Sequence, residues 1–435
     1  MKNRISILLT SLFILSVLIS SCSNDDDGAP TTGQLTGTVT DASTQEALVD
    51  VKILIFDAST NSPSTTSATS DAQGAFTVDL LPGDYYLKFF KQGYNSVPAP
   101  GIAPVSFTIT AGQTTTQTAE MSASEIANGG YISGKVSEGS AGVSGALVIA
   151  ENSSADQAYS TISDNEGNYS IYNVPAGNYQ VKAFLSNYNS SPAAATVVSN
   201  TETLDINVAV TAGASGVLEG TIRNLATDNK DVDVTLVHPI TKETIPGLST
   251  VSVNQSYTMS NIPNGTYIAR ATYQNDERVM DPDRIAKFGE PEVTFAGNTI
   301  ELTFDITNAV TLNSPSNAAT STQPVEINST NPTFEWTAYS STSDYVIEVV
   351  DLISGNVVWG GFDYSGTAPV KNIVIPSSQK SVVFNYDGSA SINALVAGRT
   401  YRWKIYASKN DQNSVTGWSL ISSSEDQLGL FKVVN

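Results

Sequence analysis

Apolar and polar residues alternate in short runs along most of the chain. Val51, Ile53 and Ile55 interleave with Lys52, Leu54 and Phe56, and Val232, Val234 and Leu236 interleave with Asp233 and Thr235. A period of two is the pattern of β-strands, half-buried where the intervening residues are polar and fully buried where they are apolar. Turn signals separate the runs. In Asp71-Ala72-Gln73-Gly74 and Asp164-Asn165-Glu166-Gly167 an aspartate can cap the turn backbone while glycine takes a positive φ. In Leu81-Pro82-Gly83-Asp84-Tyr85 and Val174-Pro175-Ala176-Gly177-Asn178-Tyr179 a second turn delivers a tyrosine to the next strand. No stretch shows the period of an amphipathic helix. Short strands with turns at this spacing predict an all-β chain of tandem β-sandwiches.

The landmarks recur. Leu35-Thr36-Gly37-Thr38-Val39, the Asp71 turn and the Pro82 turn return in order as Ile132-Ser133-Gly134-Lys135-Val136, the Asp164 turn and the Pro175 turn. A third set, Leu218-Glu219-Gly220-Thr221-Ile222 and Ile262-Pro263-Asn264-Gly265-Thr266-Tyr267, carries Asn254-Gln255-Ser256-Tyr257 where the others have Asp-x-x-Gly. Internal repeats of this kind set the domain plan: sandwiches at 33–122, 130–212 and 215–309. A Ser/Thr/Asn/Pro-rich stretch, 312–331, reads as a linker. The last unit, 311–435, holds all four tryptophans, with Trp336 expected in its core.

These repeats resemble the carboxypeptidase regulatory-like domain, a transthyretin-like β-sandwich, closely in the first two units and loosely in the third. The resemblance implies a non-catalytic module. In the last unit Leu395-Val396-Ala397-Gly398-Arg399-Thr400-Tyr401 resembles the tyrosine corner of fibronectin type III domains, where the tyrosine hydroxyl ties a crossover loop to its strand.

The amino terminus changes the picture. Lys2 and Arg4 precede an apolar stretch, Ile5 to Ile19, followed by Ile19-Ser20-Ser21-Cys22. Charge, apolar core and small residues in that order make a secretory signal, and the stretch is shorter than the ~20 apolar residues of a spanning helix. The final four residues resemble a lipobox, so residues 1–21 are read as a cleaved signal peptide and Cys22 as the lipidated anchor. Cys22 is the only cysteine, so it has no partner for an internal disulfide. Residues 22–32, with Asp25, Asp26 and Asp27, form an acidic tether that resembles the surface-export signal of Bacteroidota lipoproteins. The expected location is the outer membrane, facing outward.

Charge narrows the partners. The net charge is −21, which disfavours nucleic acid, whose phosphates need clustered cations. The expected contacts are the membrane through the lipid, and glycan or surface proteins. No cofactor and no metal site is expected. Asp71 and Asp164 each offer calcium one side chain where it takes six to eight oxygens. The single histidine, His238, ends a strand before Pro239 with no nucleophile turn to serve. Glu335, Glu348 and Asp351 are carboxylates that a glycosidase could use, but nothing in their spacing pairs them. The chain therefore reads as a non-enzymatic, surface-anchored binding module, with carbohydrate its most specific ligand class. The alternatives are a structural or adhesive stalk contacting partner proteins, and a glycoside hydrolase accessory or cryptic hydrolase. Sugars stack on aromatic rings, and Trp359-Gly360-Gly361-Phe362-Asp363-Tyr364 places rings around a glycine pair. Trp359, Phe362, Asp363, Tyr364 and Trp418 are the candidate ligand-binding residues. The competing reading of Trp359 is that it packs on its own sheet.

Overall fold

A computed structural model describes residues 31–434, apart from short stretches at 59–61, 101–103, 105, 125, 127, 153, 155–156, 227–230, 273–276, 319–323 and 353–355. Cys22, the signal segment and the acidic tether up to residue 30 lie outside the described residues.

The first three units are two-sheet sandwiches of one design. In the first, Lys52–Asp57 and Gly83–Phe90 pair antiparallel at the centre of one sheet, flanked by Ser62–Thr69 and Phe107–Ile109. Gly33–Asp41 anchors the other sheet, pairing antiparallel with Ala75–Leu80 and parallel with Thr114–Thr116. The second unit repeats this with Leu147–Asn152 and Gly177–Phe184, and the third with Val232–Val237 and Gly265–Thr272.

The repeated residues have repeated jobs. Gly37, Gly134 and Gly220 sit where a carbonyl from the closing segment crosses the first strand: a Cβ there would lie 1.8, 2.1 and 1.8 Å from the oxygens of Gln117, Ile206 and Leu302. Only glycine admits that approach. The hydroxyls of Tyr169 and Tyr257 donate to the same carbonyls, of Ile206 and Leu302. After each Pro turn, the tyrosine donates back to the carbonyl four residues earlier: Tyr85 to Leu81, Tyr179 to Pro175 and Tyr267 to Pro263, at 3.0, 3.0 and 3.1 Å. The Asp71 and Asp164 carboxylates each accept two backbone N–H groups of their own turn, closed by Gly74 and Gly167 at φ +71° and +86°.

The third unit differs in holding a helix, Pro282–Phe288, contrary to the helix-free reading of the sequence. Asp281 caps its first turn through the Asp283 N–H, and proline occupies the first helical position. At seven residues it is too short to show periodicity.

The fourth unit is also a two-sheet sandwich. The expected linker is instead part of it: Leu312–Ser314 pairs with Thr333–Trp336, and Val325–Ile327 runs parallel to Leu430–Val433. Trp336, Trp403, Tyr401 and Phe431 are fully buried in its core. The Tyr401 hydroxyl accepts the Val396 N–H at 2.9 Å, tying the preceding loop to its strand.

The units are not separated. Leu54, Phe56, Tyr86 and Phe90, on the outer face of the first sandwich, join Leu147, Ile149, Ile162 and Phe184 of the second and the interior of the third in one apolar cluster. Lys88 of the first sandwich pairs with Glu243 of the third at 2.9 Å, both largely buried. Lys432, near the carboxyl terminus, pairs with Glu120 of the first at 2.9 Å. The first sandwich therefore touches all three others.

Candidate functional site

The structure divides the five candidate residues. Trp359 is 1% exposed and lies in the core of the fourth sandwich, between Phe334 and Phe384, with its indole N–H donated to Asp387 at 2.9 Å. The glycines after it do take positive φ, +71° and +69°, but they follow a tryptophan already turned inward. Trp359 is thus a core residue and not a stacking platform. Trp418 is 9% exposed. It packs against Leu420 and Ala286 of the third sandwich's helix, under the Phe362 ring and the Lys371 ammonium. It holds two domains together and leaves no face for a ligand.

Phe362 is half-buried, and Tyr364 is 59% exposed. Asp363 is exposed, but its carboxylate accepts the Ser365 N–H at 2.8 Å, a bond that holds it below the ordinary carboxylate range. Two of the three remaining candidates thus form a ring pair, Phe362 and Tyr364, at 6.2 Å between centroids.

Beside that pair lies a polar cluster that sequence reading did not assemble. Alternation along Thr400–Asn410 sends Tyr401, Trp403 and Ile405 inward, and Arg402, Lys404 and Tyr406 outward. Glu348 lies opposite Lys404 in register. The Tyr406 ring meets Phe362 edge-on at 5.1 Å, its hydroxyl is 3.3 Å from the Glu348 carboxylate, and Lys404 reaches Asp426 at 2.5 Å. Burial pushes the Glu348 carboxyl and the Tyr406 hydroxyl upward. The outward period of this strand was readable in advance; its neighbours across the sheet were not. The patch offers one open ring, Tyr364, beside polar side chains that are already paired with one another.

No catalytic arrangement emerges from the other candidates. Glu335 points to solvent, Asp351 is ion-paired to Arg399, and Glu348 faces Tyr406. His238 is not an ordinary strand-end residue. It is 2% exposed, with Nε2 2.9 Å from Glu151 of the second sandwich and Nδ1 facing the N–H groups of Ile240 and Thr241. Nδ1 therefore accepts and Nε2–H donates. With Phe184 edge-on at 5.4 Å, the histidine joins the second and third sandwiches. That bond, followed by one from Lys182, holds the Glu151 carboxyl down at about 2 against the upward pull of burial.

Comparison with known proteins agrees with the fold. Residues 34–122 and 131–211 each match the carboxypeptidase regulatory-like domain family. No curated protein matches the chain. Among solved structures, the Bacillus anthracis TIE protein is similar at 15% identity over 64% of this chain and 51% of its own, with a TM-score of 0.18. A leucine-rich repeat protein from Bacteroides thetaiotaomicron is similar at 15% identity over 42% of this chain and 26% of its own, TM-score 0.23. BcpA, the major pilin subunit of Bacillus cereus, is similar at 12% over 64% and 100%, TM-score 0.18. The chain spans about half the length of the first of these and a quarter of the second.

Proposed function

We propose that this chain is a non-catalytic binding protein displayed on the outer surface of a bacterial cell, tethered through lipidated Cys22, whose four sandwiches form one body that meets an extracellular partner. The observation that carries this reading is the apolar cluster running through the first three sandwiches. Flexible spacers have no reason to bury Leu54, Phe56, Ile149 and Phe184 against one another, because a hinged row would leave such faces in water. The same cluster favours a preformed body over an extended stalk. Carbohydrate is the ligand class we favour, supported by open aromatic rings on the surface, Tyr364 at 59% and Phe288 at 83% exposure, on which a sugar could stack.

The test uses intact cells expressing the chain or its Cys22→Ser variant. A membrane-impermeant amine label should reach the parent protein on the cell surface, and those cells alone should retain particulate polysaccharide or matrix protein. Equal surface labelling of the Cys22→Ser cells would refute the anchor, and equal retention by cells lacking the chain would refute the binding role.

A further inference from the structure

The third sandwich departs from the other two where its helix is inserted, and the helix opens a cavity of about 300 Å³ against the strands behind it. Met280, Ile285, Leu302 and Phe304 supply apolar lining. Phe288, the last residue of the helix, stands at the cavity with 83% of its surface in solvent. Gly289 follows at φ +78° and ends the helix there.

The polar lining is held firmly. Asp305 is 1% exposed on its side chain, gripped by Arg284 at 3.0 Å and by two nitrogens of Arg223 at 2.6 Å. Glu290 is fixed by Arg270 at 2.7 Å and Lys242 at 3.1 Å. Asp281, with burial pushing its carboxyl upward, and the Thr303 hydroxyl complete the set. Four carboxylates line the cavity beside one guanidinium, and Arg223, Arg270 and Lys242 just outside offset the excess. Such a site has little net charge for an ion. It has a ring to stack on, further donors on Arg284 besides the one given to Asp305, and spare lone pairs on Asp281, which also takes the Asp283 N–H, and on Thr303, which also bonds the Thr221 hydroxyl at 3.0 Å.

We infer that this cavity takes one sugar residue of a neutral glycan, with Phe288 stacked on its apolar face and Asp281, Arg284 and Thr303 bonded to its hydroxyls. A volume near 300 Å³ is at the small end for ligand sites and suits a single ring, not a long chain. The inference rests on the carbohydrate-binding reading above, but places the site on the third sandwich and not at Tyr364.

The experiment is saturation-transfer NMR on the full mature chain with the methyl glycosides of glucose, galactose, mannose and N-acetylglucosamine. At least one should bind with a millimolar-range constant. Phe288→Ala should weaken it at least tenfold and Thr303→Val severalfold, while Tyr364→Ala leaves it unchanged. Circular dichroism checks that the variants stay folded, which the exposure of Phe288 leads us to expect. Binding that survives both Phe288→Ala and Thr303→Val, or that is lost in Tyr364→Ala, overturns this site while leaving the glycan reading standing. Absence of binding by every glycoside overturns the site, and intact cells that still retain a matrix protein would then leave display and binding in place.

Discussion

The contact between Lys88 and Glu243 is the sharpest test of whether the sandwiches form one body. The two side chains meet at 2.9 Å and keep 9% and 13% of their surface exposed. At that separation the gross attraction is about 6 kcal/mol with an effective dielectric near 20. Desolvation offsets most of it, so the intact pair contributes little net stability. Breaking it is another matter. Lys88→Met leaves a carboxylate buried without its cation, and Glu243→Leu leaves an ammonium so placed. Each single change should cost about 3 kcal/mol, while the double variant should lie within about 1 kcal/mol of the parent. The assay is urea denaturation of the full mature chain for all four members of the cycle, with the coupling taken from the midpoints. If the sandwiches were hinged apart, both groups would be in water and each change would cost under about 0.5 kcal/mol. Small, additive effects would therefore refute the packing of the first sandwich on the third.

Other expectations follow from single contacts. Tyr267→Phe removes the buried bond to the Pro263 carbonyl and should cost about 1 kcal/mol in the same denaturation assay. The Glu151 carboxyl is held at about 2 in the fold, below its ordinary 4.5. Its stabilisation is complete above pH 4.5 and disappears as the pH falls toward 2, and His238→Leu should flatten that acid-side loss between pH 4.5 and 2. Glu425 behaves in the opposite sense: burial, reinforced by the neighbouring Asp426 charge, raises its carboxyl to about 7, so its contribution is complete below pH 4.5 and is lost as pH rises through 7. Glu425→Gln should therefore raise the melting temperature at pH 8 more than at pH 5. In small-angle scattering the four sandwiches should show a radius of gyration of about 22 Å, against roughly 40 Å for four domains in a row.

Much of the architecture was legible because the repeats encode it locally. Glycine at the carbonyl crossing, aspartate in the turn and tyrosine after the proline each act within their own unit, so their spacing alone placed them. The interface was half-written too. Ile53-Leu54-Ile55-Phe56 and Ala146-Leu147-Val148-Ile149-Ala150 are unbroken apolar runs, the mark of burial on both faces, whereas Val232-Asp233-Val234-Thr235-Leu236 alternates. The ligand candidates were harder. Trp359 and Trp418 sit beside glycines that do make turns, yet what covers them comes from elsewhere: Phe334 and Phe384 in one case, and the helix of another domain in the other. Nothing near them in the chain reports those neighbours. The helix carried one local signal, Asp281 capping ahead of Pro282, but seven residues give apolar spacing no room to repeat.

The face joining the first two sandwiches has a symmetry worth following. Lys52 pairs with Phe90 in one unit as Leu147 pairs with Phe184 in the other, which makes Leu54 the counterpart of Ile149 and Phe90 that of Phe184. All four lie in the shared cluster. The two copies thus contribute matching residues to one shared interior, in which Phe184 meets His238 and Tyr267 of the third sandwich edge-on. Either sandwich, severed from its neighbours by a protease or produced alone, would present an apolar face with nothing left to cover it. The covalent tandem keeps those neighbours permanently at hand, so packing within the chain outcompetes pairing between chains.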